Sequence, residues 1–348
     1  NGPITLDGDT TVGGAGSLSL GGIISESGGA RGFTKLGAGT LTLSGANTYT
    51  GATTITAGVL SVSSVADGGL ASNIGQSSNA ATNLVFDGGS LQFTGSGSGA
   101  SNRAFTINTG KTATFDISQS TGVLTLSGAA ASTTGALTKT GSGTLVLSGA
   151  NAYTGLTTIS AGVLRAANAT ALGTVAGGVS VTAGAALELS GGITVGAEAL
   201  TLNGGGISSD GALRSVSGTN SYAGAITLGS SGARINADTG STLTLTGGIT
   251  GATYPLTVGG VGNTVISTGV IATTSGTLTK DGTGTLTLSA ANTYTGNTLV
   301  SSGTLSVTNA AALKSSAGTL TVNGGTLDIN GVTLKTLTSM TVQGAGSS

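Results

Sequence analysis

The stretch that decides the fold is GALTKTGSGTLVLSGANAYTGLTTISAGVLRA, residues 135–166. Two further stretches closely repeat it, GFTKLGAGTLTLSGANTYTGATTITAGVLSV at residues 32–62 and GTLTKDGTGTLTLSAANTYTGNTLVSSGTLSV at residues 276–307. A degenerate copy, residues 210–235, keeps the central Asn, Tyr and Gly. Self-similarity of this kind is typical of architectures in which one structural unit stacks on the next.

Short runs within each copy alternate between apolar and polar residues. In one copy Leu41 and Leu43 alternate with threonines, and Ile55 and Leu60 lie in similar β-branched runs between Gly, Asn and Ser clusters. A period of two indicates half-buried β-strands, and no 3.6-residue apolar stripe of a helix persists along the chain. Because near-identical strand units recur, we predict an all-β parallel β-helix, or β-solenoid, with almost no helix.

The length of one coil sets the expected number of coils. Three strands and three short turns take roughly 20–25 residues. The chain of 348 residues therefore predicts about 15 coils in a single continuous solenoid over residues 1–348. We expect Leu, Val and Ile to point inward and to stack in ladders along the coil axis.

The composition indicates a packed core beneath a surface with little charge. Hydrophobic residues make up 37% of the chain, which disfavours disorder. Charged residues make up 7% and the formal net charge is −1, so no strong field gathers nucleic acid or an anionic membrane. Apolar runs are much shorter than the roughly 20 residues of a membrane-spanning helix. We expect no nucleic-acid partner and no membrane-spanning helix in this segment.

The pattern LTKxGxGTLxLSGxNxYTGxTTIxAGxL at residues 137–164 closely resembles the autotransporter-associated β-strand repeat. Residues 81–95 and 205–229 are also similar to proteins that carry this repeat. The resemblance implies a right-handed parallel β-helix of the passenger type, found in bacterial autotransporters and large surface proteins. It further implies a protein that is secreted or displayed at a bacterial cell surface, where it serves as a structural or adhesive stalk or fibre.

The residue types present argue against most enzyme classes. Without His or Cys the chain cannot build a Ser-His-Asp triad, a Cys nucleophile or a zinc site of the usual ligands. Asp7 and Asp9 form a close carboxylate pair, but they lie in a turn-like LDGDT. Glu188 and Glu198 are ten residues apart, which predicts different sides of a coil. We expect no enzyme, no catalytic residue, no cofactor and no metal site.

A polysaccharide-binding or polysaccharide-degrading β-helix is an open alternative. The charged residues Arg103, Lys111 and Asp116 lie close in sequence to four phenylalanines and could line a sugar groove. The other interpretation of this group is a locally bulkier core with solvated charges. The four phenylalanines are Phe86, Phe93, Phe105 and Phe115.

An ice-binding solenoid is a second alternative, because T-x-T occurs at Thr40, Thr242 and Thr285. Ice binding needs such a pair on nearly every coil in one flat column. These pairs are many coils apart and flank inward-facing leucines, which disfavours the alternative.

Three side chains recur at fixed places in the copies. The tyrosines are interaction candidates, because an amphipathic ring can dock on a subunit or a glycan; packing over the adjacent turn is the alternative. The lysine before the G-x-G step is predicted to be a solvated gatekeeper against edge aggregation. The asparagine is predicted to bond neighbouring backbone in a turn. The sets are Tyr49, Tyr153 and Tyr294, then Lys35, Lys139 and Lys280, then Asn47, Asn151 and Asn292.

The two ends of the segment suggest a further kind of partner. PITL near the start and SMTVQ near the end are strand-like and carry no polar capping unit. We therefore expect either an internal piece of a longer rod or a chain that associates with itself, end to end into a filament or laterally. The other expected partners are glycans or proteins of a host or cell surface.

Overall fold

The computed structural model describes residues 2–313, 318–334 and 339–343. The chain divides into two compact units, Asn1–Gly178 and Val179–Ser348. Each unit is built from short parallel strands wound into coils, so the prediction of a parallel β-solenoid is confirmed. A single continuous solenoid over the whole chain stays a prediction.

Helix is nearly absent, as the composition predicts. In the described part of the chain, the helical segments are two short 3₁₀ turns, Ala81–Asn83 and Ile207–Ser209. Both lie in connections between strands. Runs of Thr, Val, Ser and Gly have low helix propensity and favour the extended backbone instead.

Most strands of the first unit are three to six residues long and are separated by turns. They are Ile4–Leu6, Thr10–Val12, Leu18–Leu20, Ile24–Glu26, Phe33–Lys35, Thr40–Leu43, Thr53–Ile55, Val59–Val62, Leu84–Phe86, Ser90–Phe93, Ser98–Ser101, Thr106–Ile107, Thr112–Ile117, Val123–Leu126, Ala136–Thr140, Thr144–Leu147, Thr157–Ile159 and Val163–Ala166.

The second unit follows the same plan, with one long strand that turns a corner of the coil. Its strands are Val179–Val181, Ala186–Ser190, Thr194–Val195, Leu200–Gly204, Leu213–Ser217, Thr219–Tyr222, Ile226–Ala237, Thr242–Leu245, Ile249–Thr250, Leu256–Gly260, Asn263–Ile266, Ile271–Ala272, Leu278–Lys280, Thr285–Leu288, Thr298–Val300, Thr304–Val307, Leu320–Asn323, Thr326–Asp328 and Met340–Gln343.

Successive coils pair through parallel ladders, and the ladders give the number of coils. Among the described strands, seven stack in one column of the first unit. Eight stack in one column of the second unit. Each strand of such a column marks one coil, so the prediction of about 15 coils is confirmed.

Coil length varies more than the repeats suggest. Phe33 pairs with Thr53, which is 20 residues later, and Thr53 pairs with Leu84, which is 31 residues later. The longer coil contains the connection over residues 63–83, which holds the first 3₁₀ turn. Loops of different length are therefore inserted at the corners without breaking the ladders.

The core of each unit is a set of stacked apolar side chains. In the first unit Leu41, Leu60, Leu91 and Phe115 lie in register on four successive coils. All four are fully buried or nearly so. Burying one such side chain contributes roughly 1.5–3 kcal/mol, and the contribution recurs on every coil. The alternation read from the sequence therefore sets which residues face inward.

Gly162 shows why a glycine stands at a coil corner. Its φ of +64° lies in the left-handed region. A Cβ at this position would lie 2.4 Å from the carbonyl oxygen of Gly141 in the preceding coil. Both the dihedral angle and the close approach of two backbones exclude a side chain here.

Candidate functional site

The recurring tyrosines lie inside the coils. Tyr49, Tyr153 and Tyr294 are each 0% exposed. Each hydroxyl lies 2.7–2.8 Å from the hydroxyl of the threonine four residues later, Thr53, Thr157 and Thr298 respectively. Burial raises the pKa of Tyr294 to about 12. The structure thus places these rings in the packing position that the sequence left as the alternative, with no ring surface available to a partner.

The recurring lysines correct the prediction of solvated gatekeepers. Lys35, Lys139 and Lys280 are at most 2% exposed. Each Nζ lies 2.5–3.3 Å from three backbone carbonyl oxygens, of which two follow the lysine in sequence and one belongs to the next coil. Their stems take inward positions in the apolar ladders, as Lys139 does between Phe115 and Ile159. These lysines join coils.

Desolvation lowers the pKa of each of these lysines. The values for Lys139 and Lys280 fall to about 8, and the pKa of Lys35 is also lowered. Three carbonyl oxygens around each ammonium group offset part of the desolvation cost, because hydrogen bonds to a charged donor are stronger than neutral ones.

The recurring asparagines bond to the backbone, as predicted, but across coils and not within one turn. Asn151 accepts a hydrogen bond at Oδ1 from the Ala130 amide (2.7 Å) and donates from Nδ2 to the Ala171 carbonyl (2.6 Å). The equivalent bonds of Asn47 and Asn292 are 2.7–2.8 Å long. Each buried amide therefore connects the coil before it to the coil after it.

The group around Arg103 also differs from the prediction of solvated charges. Arg103 is 1% exposed and donates hydrogen bonds to the backbone of Ala66, Leu70, Gly75 and Ser77. Its guanidinium holds the long connection of residues 63–83 against the coil. The arginine is therefore engaged by the backbone, not directed toward a ligand.

The neighbours of Arg103 in the predicted sugar groove have other partners. Lys111 is exposed beside Asp87 (3.9 Å), and Asp116 accepts a hydrogen bond from Gln92 (2.8 Å). Phe86, Phe105 and Phe115 pack against one another with ring centroids 4.8–6.0 Å apart. These three rings are fully buried, which matches the bulkier-core interpretation.

The remaining candidates from the sequence are distributed over separate places. Asp7 accepts a hydrogen bond from the Ser27 hydroxyl, and Asp9 accepts one from the Gly32 amide, so both carboxylates bond to the following coil. The threonine pairs do not stack on one another: Thr42, for example, lies in register with Ser19 and Ser61. A flat threonine column is not formed there.

Glu198 and Tyr222 are two buried polar residues of the second unit that influence each other electrostatically. Glu198 is 3% exposed, its Oε1 has no hydrogen-bond partner, and burial raises its pKa to about 8. Burial also raises the pKa of Tyr222, and the nearby Glu198 adds to the increase. Tyr222 occupies the place of the repeat tyrosines, but residue 226 is Ile instead of Thr. Its hydroxyl accordingly has no partner.

A charged cluster on the second unit was not predicted as a site. Arg214 lies at its centre, 2.8 Å from Asp238, 3.7 Å from Asp210 and 3.8 Å from Glu188. These partners raise the pKa of Arg214, with the Asp238 hydrogen bond as the largest cause. The spacing of 24 to 26 residues from Arg214 to Asp238 and to Glu188 is about one coil, and this is the signal that could have found the cluster.

In the ranges that the structure describes, no three carboxylates gather closely enough to hold a metal ion. Across the same residues, no helix combines the length and the hydropathy needed to cross a bilayer.

The three stretches with the buried Lys, Asn and Tyr coincide with a known family. The Passenger-associated-transport-repeat model matches residues 33–62, 137–166 and 278–307. The chain thus carries three passenger-associated-transport repeats. This confirms the resemblance read from the sequence, and each passenger-associated-transport repeat corresponds to one full coil and two strands of the next.

One relative extends the likeness beyond the passenger-associated-transport repeats themselves. The chain is 37% identical over 286 residues to the adhesin BmaC autotransporter of Brucella suis biovar 1 (strain 1330). The match covers 81% of this chain and 7% of the adhesin, so the chain spans a small part of that relative's length. No solved structure gives a significant match. The repeat family and this relative identify a bacterial protein that is secreted or displayed at the cell surface.

Proposed function

We propose that this chain is an adhesive passenger segment that also acts as a rigid extracellular spacer. The observation that carries the proposal is the coincidence of the three family repeats with coils that are bonded to their neighbours by buried Lys, Asn and Tyr side chains. A solenoid built in this way leaves few backbone polar groups for water or proteases to reach. The likeness to an adhesin supports the adhesive part of the role.

Adhesion is tested with the purified chain on beads. We expect beads coated with the 348-residue chain to bind cultured animal cells above the level of albumin-coated beads. Equal binding of the two bead types contradicts the adhesive role and leaves the spacer role to be tested by proteolysis.

The proposed role is not catalytic. The repeat family and the adhesin relative favour a non-catalytic role. Incubation of the chain with polyuronates and neutral polysaccharides tests this. Release of reducing ends would contradict the proposal and support the polysaccharide-degrading alternative.

The proposal also includes self-association of the chain. Parallel ladders can be continued by a strand from a second chain, which makes end-to-end filaments a physical option. Sedimentation velocity of the purified chain over a concentration series tests it. Species that grow with concentration support self-association, and a monomer at all concentrations contradicts it.

A further inference from the structure

The connection after strand Val163–Ala166 carries an Asn-x-Thr triplet, Asn168-Ala169-Thr170. Asn followed by any residue but Pro, and then by Ser or Thr, is the acceptor motif for sugars that are joined to the asparagine amide. Of all the asparagines in the sequence, Asn168 alone lies in such a motif. A match of three residues is a weak signal by itself, so the structural context has to support it.

The triplet lies on the outside of a turn whose following residues reach into the coil. Asn168 is partly exposed, and the two residues after it are exposed. Ala171 and Leu172 are buried. The Ala171 carbonyl oxygen accepts a hydrogen bond of 2.6 Å from the buried Asn151 amide. The turn therefore presents the triplet to solvent from a fixed base.

The side-chain amide of Asn168 is bonded on one side only. Its Oδ1 accepts hydrogen bonds from the Thr170 backbone N–H (3.0 Å) and from the Thr170 hydroxyl (3.2 Å). Its Nδ2 donates to none of the residues that the structure describes. The two donors fix the plane of the amide, and Nδ2 is left available for a bond to a sugar.

The third repeat copy offers a comparison, because Asn309 follows its last strand as Asn168 follows that of the second copy. Asn309 also accepts a backbone N–H at Oδ1, from Ala311 (2.9 Å). Its Nδ2, however, donates to the Ser289 carbonyl (3.2 Å), and residue 311 has no hydroxyl. Asn168 thus differs from its counterpart in two respects, the free amide nitrogen and the neighbouring hydroxyl.

The hydroxyl of Thr170 has a chemical role in this arrangement. An amide nitrogen is a poor nucleophile, because its lone pair is delocalised over the carbonyl group. As Nδ2 loses a proton, negative charge gathers on Oδ1, and the two hydrogen bonds from Thr170 stabilise that charge. The contacts of Asn168 are therefore those that favour attack by its amide nitrogen.

We propose that Asn168 is a site of N-linked glycosylation. A glycosyltransferase of the producing cell supplies a sugar activated at C1 by a pyrophosphate group, carried by a nucleotide or by a lipid. Nδ2 forms a bond to C1, the bond from C1 to the pyrophosphate oxygen breaks, and the proton lost from Nδ2 goes to the departing pyrophosphate. The attached sugar replaces no hydrogen bond of the fold. The inference does not depend on the proposed adhesive function.

Mass spectrometry of the chain isolated from the bacterium that makes it tests the proposal. Trypsin acting on the denatured chain cuts after Arg165 and Arg214, and Asn168 lies in the peptide between them. We expect this peptide to carry a sugar on Asn168. A single hexose indicates the nucleotide-linked donor, and a preassembled oligosaccharide indicates the lipid-linked donor. A peptide without any sugar overturns the proposal.

Two substitutions at position 170 test the hydroxyl in the same bacterium. Thr170→Ala removes the hydroxyl from an exposed side chain, so we expect a folded chain that has lost the sugar. Thr170→Ser keeps a hydroxyl and should keep the sugar. Thermal melts establish that both variants are folded. A sugar that remains on Asn168 in Thr170→Ala, or that is lost from folded Thr170→Ser, overturns the proposal.

Ala311→Thr tests the free amide nitrogen. The substitution completes the acceptor motif at Asn309 but leaves its Nδ2 bonded to the Ser289 carbonyl. We expect Asn168 to carry the sugar in this variant and Asn309 to stay unmodified. Equal modification of the two asparagines overturns the selection of Asn168 by its free Nδ2.

Discussion

At the scale of single residues, Lys139 illustrates how a charged side chain is accommodated inside a β-solenoid. Its stem continues an apolar ladder, and its ammonium group donates to the carbonyl oxygens of Thr140, Gly141 and Ala161. The lysine therefore needs no carboxylate partner, because the glycine-rich corner supplies three carbonyl dipoles in one place.

Replacement of this lysine should destabilise the first unit. Lys139→Met keeps most of the stem but leaves the carbonyl oxygens without their donor, so we expect the free energy of unfolding to fall by about 1–3 kcal/mol. Urea denaturation measures the change. The control is Lys111→Met, since the Lys111 side chain is 48% exposed. Equal stability of the two variants would contradict the role assigned to Lys139.

The tyrosines of the second unit provide a matched pair for a hydroxyl deletion. Tyr294→Phe removes the bond to Thr298, whereas Tyr222→Phe removes a buried hydroxyl that has no partner. We expect Tyr294→Phe to lose about 1 kcal/mol and Tyr222→Phe to be neutral or stabilising. Denaturant midpoints of the two variants measure the difference, and a larger loss for Tyr222→Phe would refute this explanation.

Glu198 should make stability depend on pH. The carboxyl has a pKa of about 8 in the folded chain and about 4.5 when unfolded. Between these values the folded state binds more protons, so stability falls as pH rises through this window and levels off above pH 8. Each pKa unit of difference corresponds to about 1.4 kcal/mol.

The measurement compares the parent chain with Glu198→Gln between pH 5 and pH 8. The variant cannot lose a proton at this position, so its advantage over the parent should grow by at least about 1.4 kcal/mol across this range. A constant difference between the two proteins would show that Glu198 does not titrate as assigned.

At the scale of strands and corners, close approach between coils is as important as backbone conformation. Gly162 and Gly240 have similar φ values, +64° and +73°, but a Cβ would meet a carbonyl oxygen only at Gly162. We expect Gly240→Ala to cost about 1 kcal/mol, from the dihedral angle alone. Gly162→Ala should cost more than about 2 kcal/mol, because the preceding coil must also move. Thermal melts compare the stability of the two variants. An equal loss of stability in both would contradict a contribution from the close approach of the preceding coil.

Strand periodicity could be predicted from sequence, but the partners across coils could not. The alternation of apolar and polar residues around Leu41 and Leu60 indicates that both side chains point inward. The stacking of these leucines in a ladder could therefore be predicted. The carbonyl oxygens around Lys139 include one that is 22 residues away, and this neighbour is fixed only once the coil length is known. Coil length varies from 20 to 31 residues where Thr53 meets its neighbours, which a sequence pattern does not determine.

The sequence analysis missed the charged cluster around Arg214 for the same reason. Arg214 and Asp238 are far apart in the sequence and are brought together by one coil, and Asp210 enters through an irregular loop. Their charges occur singly, so no local motif marks them. The three regular copies predicted the β-solenoid fold. The charged cluster, which was not predicted, lies in and beside the degenerate copy, residues 210–235, where the repeat pattern is weak.

At the scale of the whole molecule, the burial of basic residues predicts resistance to trypsin. Lys35, Arg103, Lys139 and Lys280 are each at most 2% exposed, and a protease must extract such a side chain to cut after it. We expect no cleavage after these four residues in the native chain, while the exposed Lys111 is available as an internal control. Mass spectrometry of fragments reports the sites.

The same digestion in denaturant completes this test. All four sites should then be cut, because unfolding exposes them. Rapid native cleavage at Lys139 or Lys280 would contradict the protease-resistant spacer.

The bonds of Lys, Asn and Tyr have a consequence for how such chains lengthen. Most of the partners of these side chains are main-chain atoms, which every residue type provides, and the tyrosine bonds to a threonine inside its own copy. A duplicated gene segment would therefore encode its own hydrogen-bonding Lys, Asn and Tyr side chains. It would need no compensating changes in the neighbouring coils. Tandem duplication can then extend the protein in steps, and lineages can differ in length while each added turn folds by the same rules.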